Sequence, residues 1–128
     1  MMDERERLNQ QTTRNLQGMD LERAGRVDEA IALYEQNLAE GFEADWPYGR
    51  LVAIHEKRGE LERAVAVLER AIEIFRVSKR RTPADRRSTI QAFRGRLRLV
   101  KQQIVARDRA ARKAGSGRQA SSGENVSS

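Results

Sequence analysis

The chain has no cysteine, a single histidine, two prolines and nine glycines among its 128 residues. Without cysteine there is no disulfide, no thiolate zinc site and no cysteine nucleophile. One histidine, His55, excludes a multi-histidine metal cage and leaves one candidate imidazole base. Nothing approaches the ~20 consecutive apolar residues of a membrane-spanning helix. The first residues, MMDERERLNQ, carry both charge signs and no apolar run, so no secretory signal is read there and a cytoplasmic chain is expected. Glycine-rich phosphate loops are missing too, since GSG at 115–117 stands in a Gly/Ser-rich tail. With no metal cluster, cofactor motif or nucleophile arrangement, the expectation is a protein without catalysis, cofactor or metal. Scarce Pro and β-branched residues beside abundant Ala, Leu, Glu and Arg point to an all-α fold and away from a sandwich or barrel. The length suits one domain with a thin core.

Charge is divided along the chain. Residues 1–75 hold 10 basic and 16 acidic side chains, a net of −6. Residues 76–113 hold 14 basic and only 2 acidic side chains, Asp85 and Asp108, a net of +12. Arg118 and Glu124 cancel in the last fifteen residues, so the whole carries +6. An acidic body is joined to a basic C-terminal segment, in which Arg dominates as it does throughout (21 Arg to 4 Lys).

The body repeats itself. Shifted by 34 residues, Glu22 falls on Glu56, Gly25 on Gly59, Ala30 on Ala64, Ala32 on Ala66 and Glu35 on Glu69. Each unit reads as helix, turn, helix. Leu16, Met19 and Leu21 belong to the first helix, and Gly25 supplies the positive φ that ends it. Val27, Ile31, Tyr34 and Leu38 then recur at i, i+4, i+7 and i+11, an amphipathic stripe. In the second unit Asp45 is the N-cap and Pro47 stands in the first turn. Leu51, Ile54 and His55 follow, Gly59 breaks the helix, and Leu61, Val65, Leu68 and Ile72 repeat the spacing. Ala30 and Ala64 sit where paired helices must approach closely.

In these positions the chain resembles the tetratricopeptide repeat family. The matching residues are Gly18, Leu21, Gly25, Ala30 and Tyr34 in one unit, and Leu51, His55, Gly59, Ala64, Leu68 and Ala71 in the next. Four positions depart from the family pattern. Arg14 stands where Trp is common, Asn37 where Ala is preferred, and Phe42 and Arg76 where each unit usually ends in Pro. The resemblance covers about residues 11–78, as units 11–44 and 45–78, and is strongest over 46–74. It implies antiparallel helical hairpins stacked as a short solenoid of about five helices. Residues 1–10, outside the resemblance, read as a frayed extension of the first helix.

The family analogy also implies a concave groove lined by the first helix of each unit: Asn15, Met19, Glu22, Trp46, Gly49, Arg50, Ala53 and Lys57. Trp46 and Arg50 are residue types that often dominate interface energies, and Gly49 and Ala53 leave room beside them. Chaperone-binding members clamp a two-carboxylate tail with a Lys and Asn pair. Asn15 and Met19 stand there, so an EEVD-type tail is not expected.

Beyond the repeats, KRRTPAD at 79–85 reads as a loop with Thr82 as N-cap and Pro83 at the first helical position. Ile90, Phe93, Leu97, Val100 and Ile104 form one narrow apolar face of a helix that runs to about residue 113. Gly95 should weaken it locally by ~1 kcal/mol relative to Ala. Two repeats fall short of the ~3 that usually make a stable stack, so this stripe is expected to cap the second unit. Arg87, Arg94, Arg98, Lys101, Arg109 and Arg112 cluster on the adjoining side, suited to phosphates or an acidic partner. Residues 114–128 are expected to be a disordered tail. The function that emerges is protein–protein interaction: an adaptor or scaffold that holds a peptide or helix in its groove. Two alternatives are a nucleic-acid-associated accessory protein using the basic helix, and a homo-oligomer formed through the open ends of the stack. His55 is read as a packed core or rim imidazole.

Overall fold

The computed structural model describes residues 1–127, with side chains described through residue 115. Five helices follow one another: α1 (Glu4–Arg23), α2 (Val27–Glu40), α3 (Trp46–Lys57), α4 (Leu61–Arg76) and α5 (Pro83–Ser127). No strand occurs among the described residues. α1 pairs with α2 and α3 with α4, α2 leans on α3 and α4, and α5 lies along α4. This is the stacked-hairpin solenoid read from the sequence. The tail expected from residue 114 falls almost wholly outside the residues with described side chains.

Local chemistry accounts for each helix boundary. Asp3 caps α1, its carboxylate accepting the Glu6 N–H at 2.8 Å, so α1 is already helical within the stretch 1–10. Gly25 and Gly59 adopt φ of +78° and +73°, the left-handed conformation that favours glycine. Their hydrogen bonds agree one for one. Arg26 N–H donates to Leu21 O at 2.8 Å, as Glu60 N–H does to His55 O. Gly25 N–H donates to Glu22 O at 3.0 Å, as Gly59 N–H does to Glu56 O. The 34-residue register is therefore structural. Gly41, at φ +77°, closes α2 in the same manner, with Phe42 N–H donating to Asn37 O at 2.9 Å. Thr82 caps α5 as expected, accepting the Asp85 N–H at 3.2 Å. Asp45 holds the N-cap position of α3, but its carboxylate makes no capping bond. Its backbone carbonyl accepts from Tyr48 and Gly49 N–H, and its side chain instead lies 3.8 Å from Arg81.

The core runs through Ala30, Ile31, Tyr34, Tyr48, Leu51, Leu61, Ala64, Leu68, Ala71 and Phe75, and ends against Phe93 and Val100 of α5. Ile90, Leu97 and Ile104 flank that last contact, so the whole predicted stripe packs inward. Phe75 and Phe93 stack with centroids 5.6 Å apart. Ala30 and Ala64 are fully buried. Gly18 permits the closest approach: a Cβ there would lie 2.9 Å from Cζ of Tyr34. Tyr48, fully buried, donates its phenol to the Phe42 carbonyl and anchors the loop between the hairpins.

The first hairpin is held differently from the second. α1 buries Gln11, Arg14 and Gly18, at i, i+3 and i+7, while Leu16 is 56% exposed. Arg14 Nη1 donates to Asn37 Oδ1 at 3.0 Å, and Asn37 Nδ2 donates to the Gln11 carbonyl at 2.9 Å. Glu40 adds a 2.9 Å ion pair to Arg14 and accepts from Gln11 Nε2 at 3.2 Å. Arg14 and Asn37, two of the three departures from the repeat pattern in this unit, are thus each other's partners.

Two stability predictions follow from these contacts. Gly18→Ala should destabilise the fold by about 1–3 kcal/mol through overpacking. Gly95→Ala, with no other side chain or backbone atom within 4 Å of the added Cβ, should stabilise it by about 0.5–1 kcal/mol. Denaturant melts of both variants check the pair, and equal effects would contradict it. Separately, Asn37→Ala should cost about 2–3 kcal/mol because it leaves buried donors and acceptors unpaired. Adding Arg14→Leu should recover part of that loss, and a double-mutant cycle showing simple additivity would refute the coupling.

Candidate partner-binding groove

The eight groove residues expected from the sequence all lie on α1 or α3, and the structure divides them. Met19, Glu22, Trp46 and Arg50, with Arg23, line a shallow pocket of about 130 Å³ between the two helices. Gly49 and Ala53 line a second, mainly apolar pocket of about 330 Å³ with Val52, Leu68, Ala92, Phe93 and Arg96. Asn15 and Lys57 belong to neither pocket. Asn15 is half-buried with its Oδ1 unpartnered, and Lys57 is exposed. One wall of the second pocket is α5, for which the sequence had suggested a cap and a cationic face but no part in the groove. Ala92 and Arg96 were the missed residues. Their position about a third of a turn from the apolar stripe was the available signal.

Arg50 is not a free cation. Its Nε lies 3.2 Å from both Glu22 carboxylate oxygens and its Nη2 2.6 Å from Oε2, while Tyr34 donates its phenol to Oε1 at 2.8 Å. The Arg50 guanidinium holds the Glu22 carboxyl below its ordinary range, with Tyr34 helping and burial opposing. Burial, followed by the Glu22 hydrogen bond, pushes the Tyr34 phenol up. The pair uses Nε and Nη2 of Arg50, and Nη1 bonds no acceptor among the described residues. Trp46 stands beside it with 43% of its surface exposed and its ring edge-on to Tyr34, at 6.0 Å and 82°. That contact holds the indole where it lines the pocket.

α5 is fastened to the body by a separate group of arginines. Arg96 bonds Glu56, which also accepts from Gln103 Nε2 at 3.0 Å. Arg107 bonds Glu62 and draws that carboxyl down to about 2. Arg86 donates to the Ser78 carbonyl at 2.7 Å. The six cations singled out from the sequence, Arg87, Arg94, Arg98, Lys101, Arg109 and Arg112, are all exposed. None of them bonds or pairs with any carboxylate among the described residues. His55 is 1% exposed and points away from the groove, its Nδ1 3.1 Å from Glu60 Oε1. Among the described residues no three acidic or histidine side chains converge as a metal ion requires, and no helix is long and apolar enough to cross a membrane.

Residues 14–44 match the family model described as Tetratricopeptide repeat. No curated protein and no solved structure matches the chain. The match covers the first hairpin, and the second repeats its turn bond for bond.

The Glu22–Arg50 pair makes stability pH-dependent. A carboxyl held below its unfolded value stabilises the fold above the ordinary 4.5 and loses that contribution as pH falls through its lower folded value. Glu22→Gln should therefore lower stability on the order of 1 kcal/mol at neutral pH, allowing for the exposure of Arg50. The gap to the native sequence should close on acidification below the ordinary carboxyl range. Thermal melts across that range test it, and a gap that widens toward acid would contradict the pairing.

Proposed function

The chain carries a tetratricopeptide repeat, and on that premise we propose that it is a non-catalytic adaptor holding a partner's peptide or helix in the groove of α1, α3 and α5. A repeat of this kind is in general a protein–protein interaction module. The observation that supports the groove in particular is the exposed indole of Trp46 beside Gly49. A Cβ added at Gly49 would meet nothing within 4 Å, so the backbone of α3 lies open between two pockets. An apolar side chain of the partner fits the space floored by Ala53, Leu68 and Phe93. A carbonyl or carboxylate of the partner can accept from the free Nη1 of Arg50, while Trp46 covers the contact from the side. Tryptophan and arginine side by side are residue types that often anchor interface energy.

Peptides selected from a random displayed library on the purified chain should bind across this groove. Trp46→Ala should weaken them at least about thirtyfold, the scale of an interface hot spot, while leaving the helical signal intact. Gly49→Leu should block binding by filling the cleft while stabilising the helix. Selected peptides whose affinity is indifferent to both changes would place the interaction elsewhere.

A further inference from the structure

The positive charge of α5 is sorted by helix face. Successive residues lie about 100° apart around the axis. Taking Arg87 as the origin, Arg94, Arg98, Lys101, Arg109 and Arg112 all fall within about 40° of it. Phe93, Leu97, Val100 and Ile104 occupy the adjoining side, packed on α4. Arg96, Gln103 and Arg107 lie roughly opposite the row, where they bond Glu56 and Glu62. One flank of the helix therefore fastens it to the body, and the other carries six cations that meet no carboxylate among the described residues. The acidic residues of α5 within the described side chains, Asp85 and Asp108, lie outside that arc and already bond Arg81 and Arg107.

A polar outer surface is what the end of a helical stack needs, but mixed charges provide it without repulsion. Here Arg94 and Arg98 stand at i,i+4, and Arg98 with Lys101 and Arg109 with Arg112 at i,i+3, arrangements in which like charges destabilise a helix. We infer that this flank of α5 is a docking surface for the phosphate backbone of a double-stranded nucleic acid. The row extends about 37 Å along the axis, close to one duplex turn. Guanidinium forks match phosphate oxygens in pairs. No aromatic ring interrupts the row, so single strands gain no stacking from it. A membrane surface would need the apolar stripe that α4 covers. An acidic protein would need a buried apolar or aromatic centre, and Val105 is the lone apolar residue of the arc.

Fluorescence anisotropy of the full chain with a labelled DNA duplex of about 20 base pairs tests this surface, apart from the groove. With five or six phosphates engaged, the slope of log affinity against log salt should be about −4.5 to −5.5, at roughly 0.9 per phosphate. Neutralising Arg94, Arg98 and Lys101 together (each to Gln) should flatten the slope to about −2 and reduce affinity at least tenfold at about 50 mM salt. Circular dichroism should show that variant as helical as the parent. Arg96→Gln, on the fastening flank, should leave the slope unchanged even where it lowers stability. A matching single strand should bind more weakly, and polyglutamate should not displace the duplex. Absence of duplex binding at low salt, or a slope the triple variant does not alter, would overturn the assignment. So would polyglutamate competing charge for charge, which would identify an acidic protein as the partner.

Discussion

The contact between α4 and α5 is the constraint on which the rest of the molecule depends. A helical hairpin buries the faces its two helices turn toward each other and leaves an outer apolar face that only another helix can cover. In the second hairpin that face holds Leu68, Ala71 and Phe75, and α5 supplies Phe93 and Val100 to bury it. Each of the larger side chains among these contributes about 1.5–3 kcal/mol on removal from water. A stack of two repeats becomes self-sufficient because the third element is a single long helix in place of a third hairpin. The same docking fixes the rotation of α5. With its stripe against α4, one flank must face α3 and the other must face solvent.

The two hairpins solve the same packing problem with different chemistry. α3 and α4 meet through aliphatic and aromatic side chains, whereas α1 presents Gln11, Arg14 and Gly18 to α2. A buried arginine needs its charge paired and hydrogen-bonded, and Asn37 and Glu40 of α2 both engage Nη1 of Arg14. Directional bonds of this kind accept one register of α1 against α2, where an apolar seam could slide. The cleft between α1 and α3 is organised by the same means, since Glu22 ties Arg50 to Tyr34 across three helices.

Glycine turns and apolar stripes were legible in the sequence because each is a local pattern. Gly25 and Gly59 stand 34 apart and need positive φ for reasons contained within a few residues. The α5 stripe follows from helical period alone. The burial of α1 was only partly legible: Leu21 packs on the core as its apolar character suggests, but the buried Gln11 and Arg14 are polar and Leu16 faces water. The pairing of Arg14 with Asn37 was not legible, although both stood out as departures. Hydrogen bonds across helices depend on relative orientation, which a single chain's periodicity does not contain. Of the groove, the α1 and α3 residues could be named by analogy. The α5 wall could not, since which flank of that helix meets α3 depends on how its stripe docks on α4.

One helix therefore carries three surfaces, and their independence is limited by geometry. Thr82 and Pro83 set where α5 begins, and from there every residue is placed by a rotation of about 100° per step. Lengthening or shortening the helix by one residue before Ile90 would turn all three surfaces together. Shortening would carry the row of cations toward the apolar face of α4 and swing the stripe toward α3. Lengthening would carry Arg96 and Arg107 there and swing the stripe toward solvent, and either change takes Arg96 and Arg107 away from Glu56 and Glu62. Burying unpaired guanidinium groups costs far more than the stripe's own burial returns. The arrangement is accordingly all or nothing. The packing that completes the core also shapes the wall of the groove and leaves the row of positive charge facing outward.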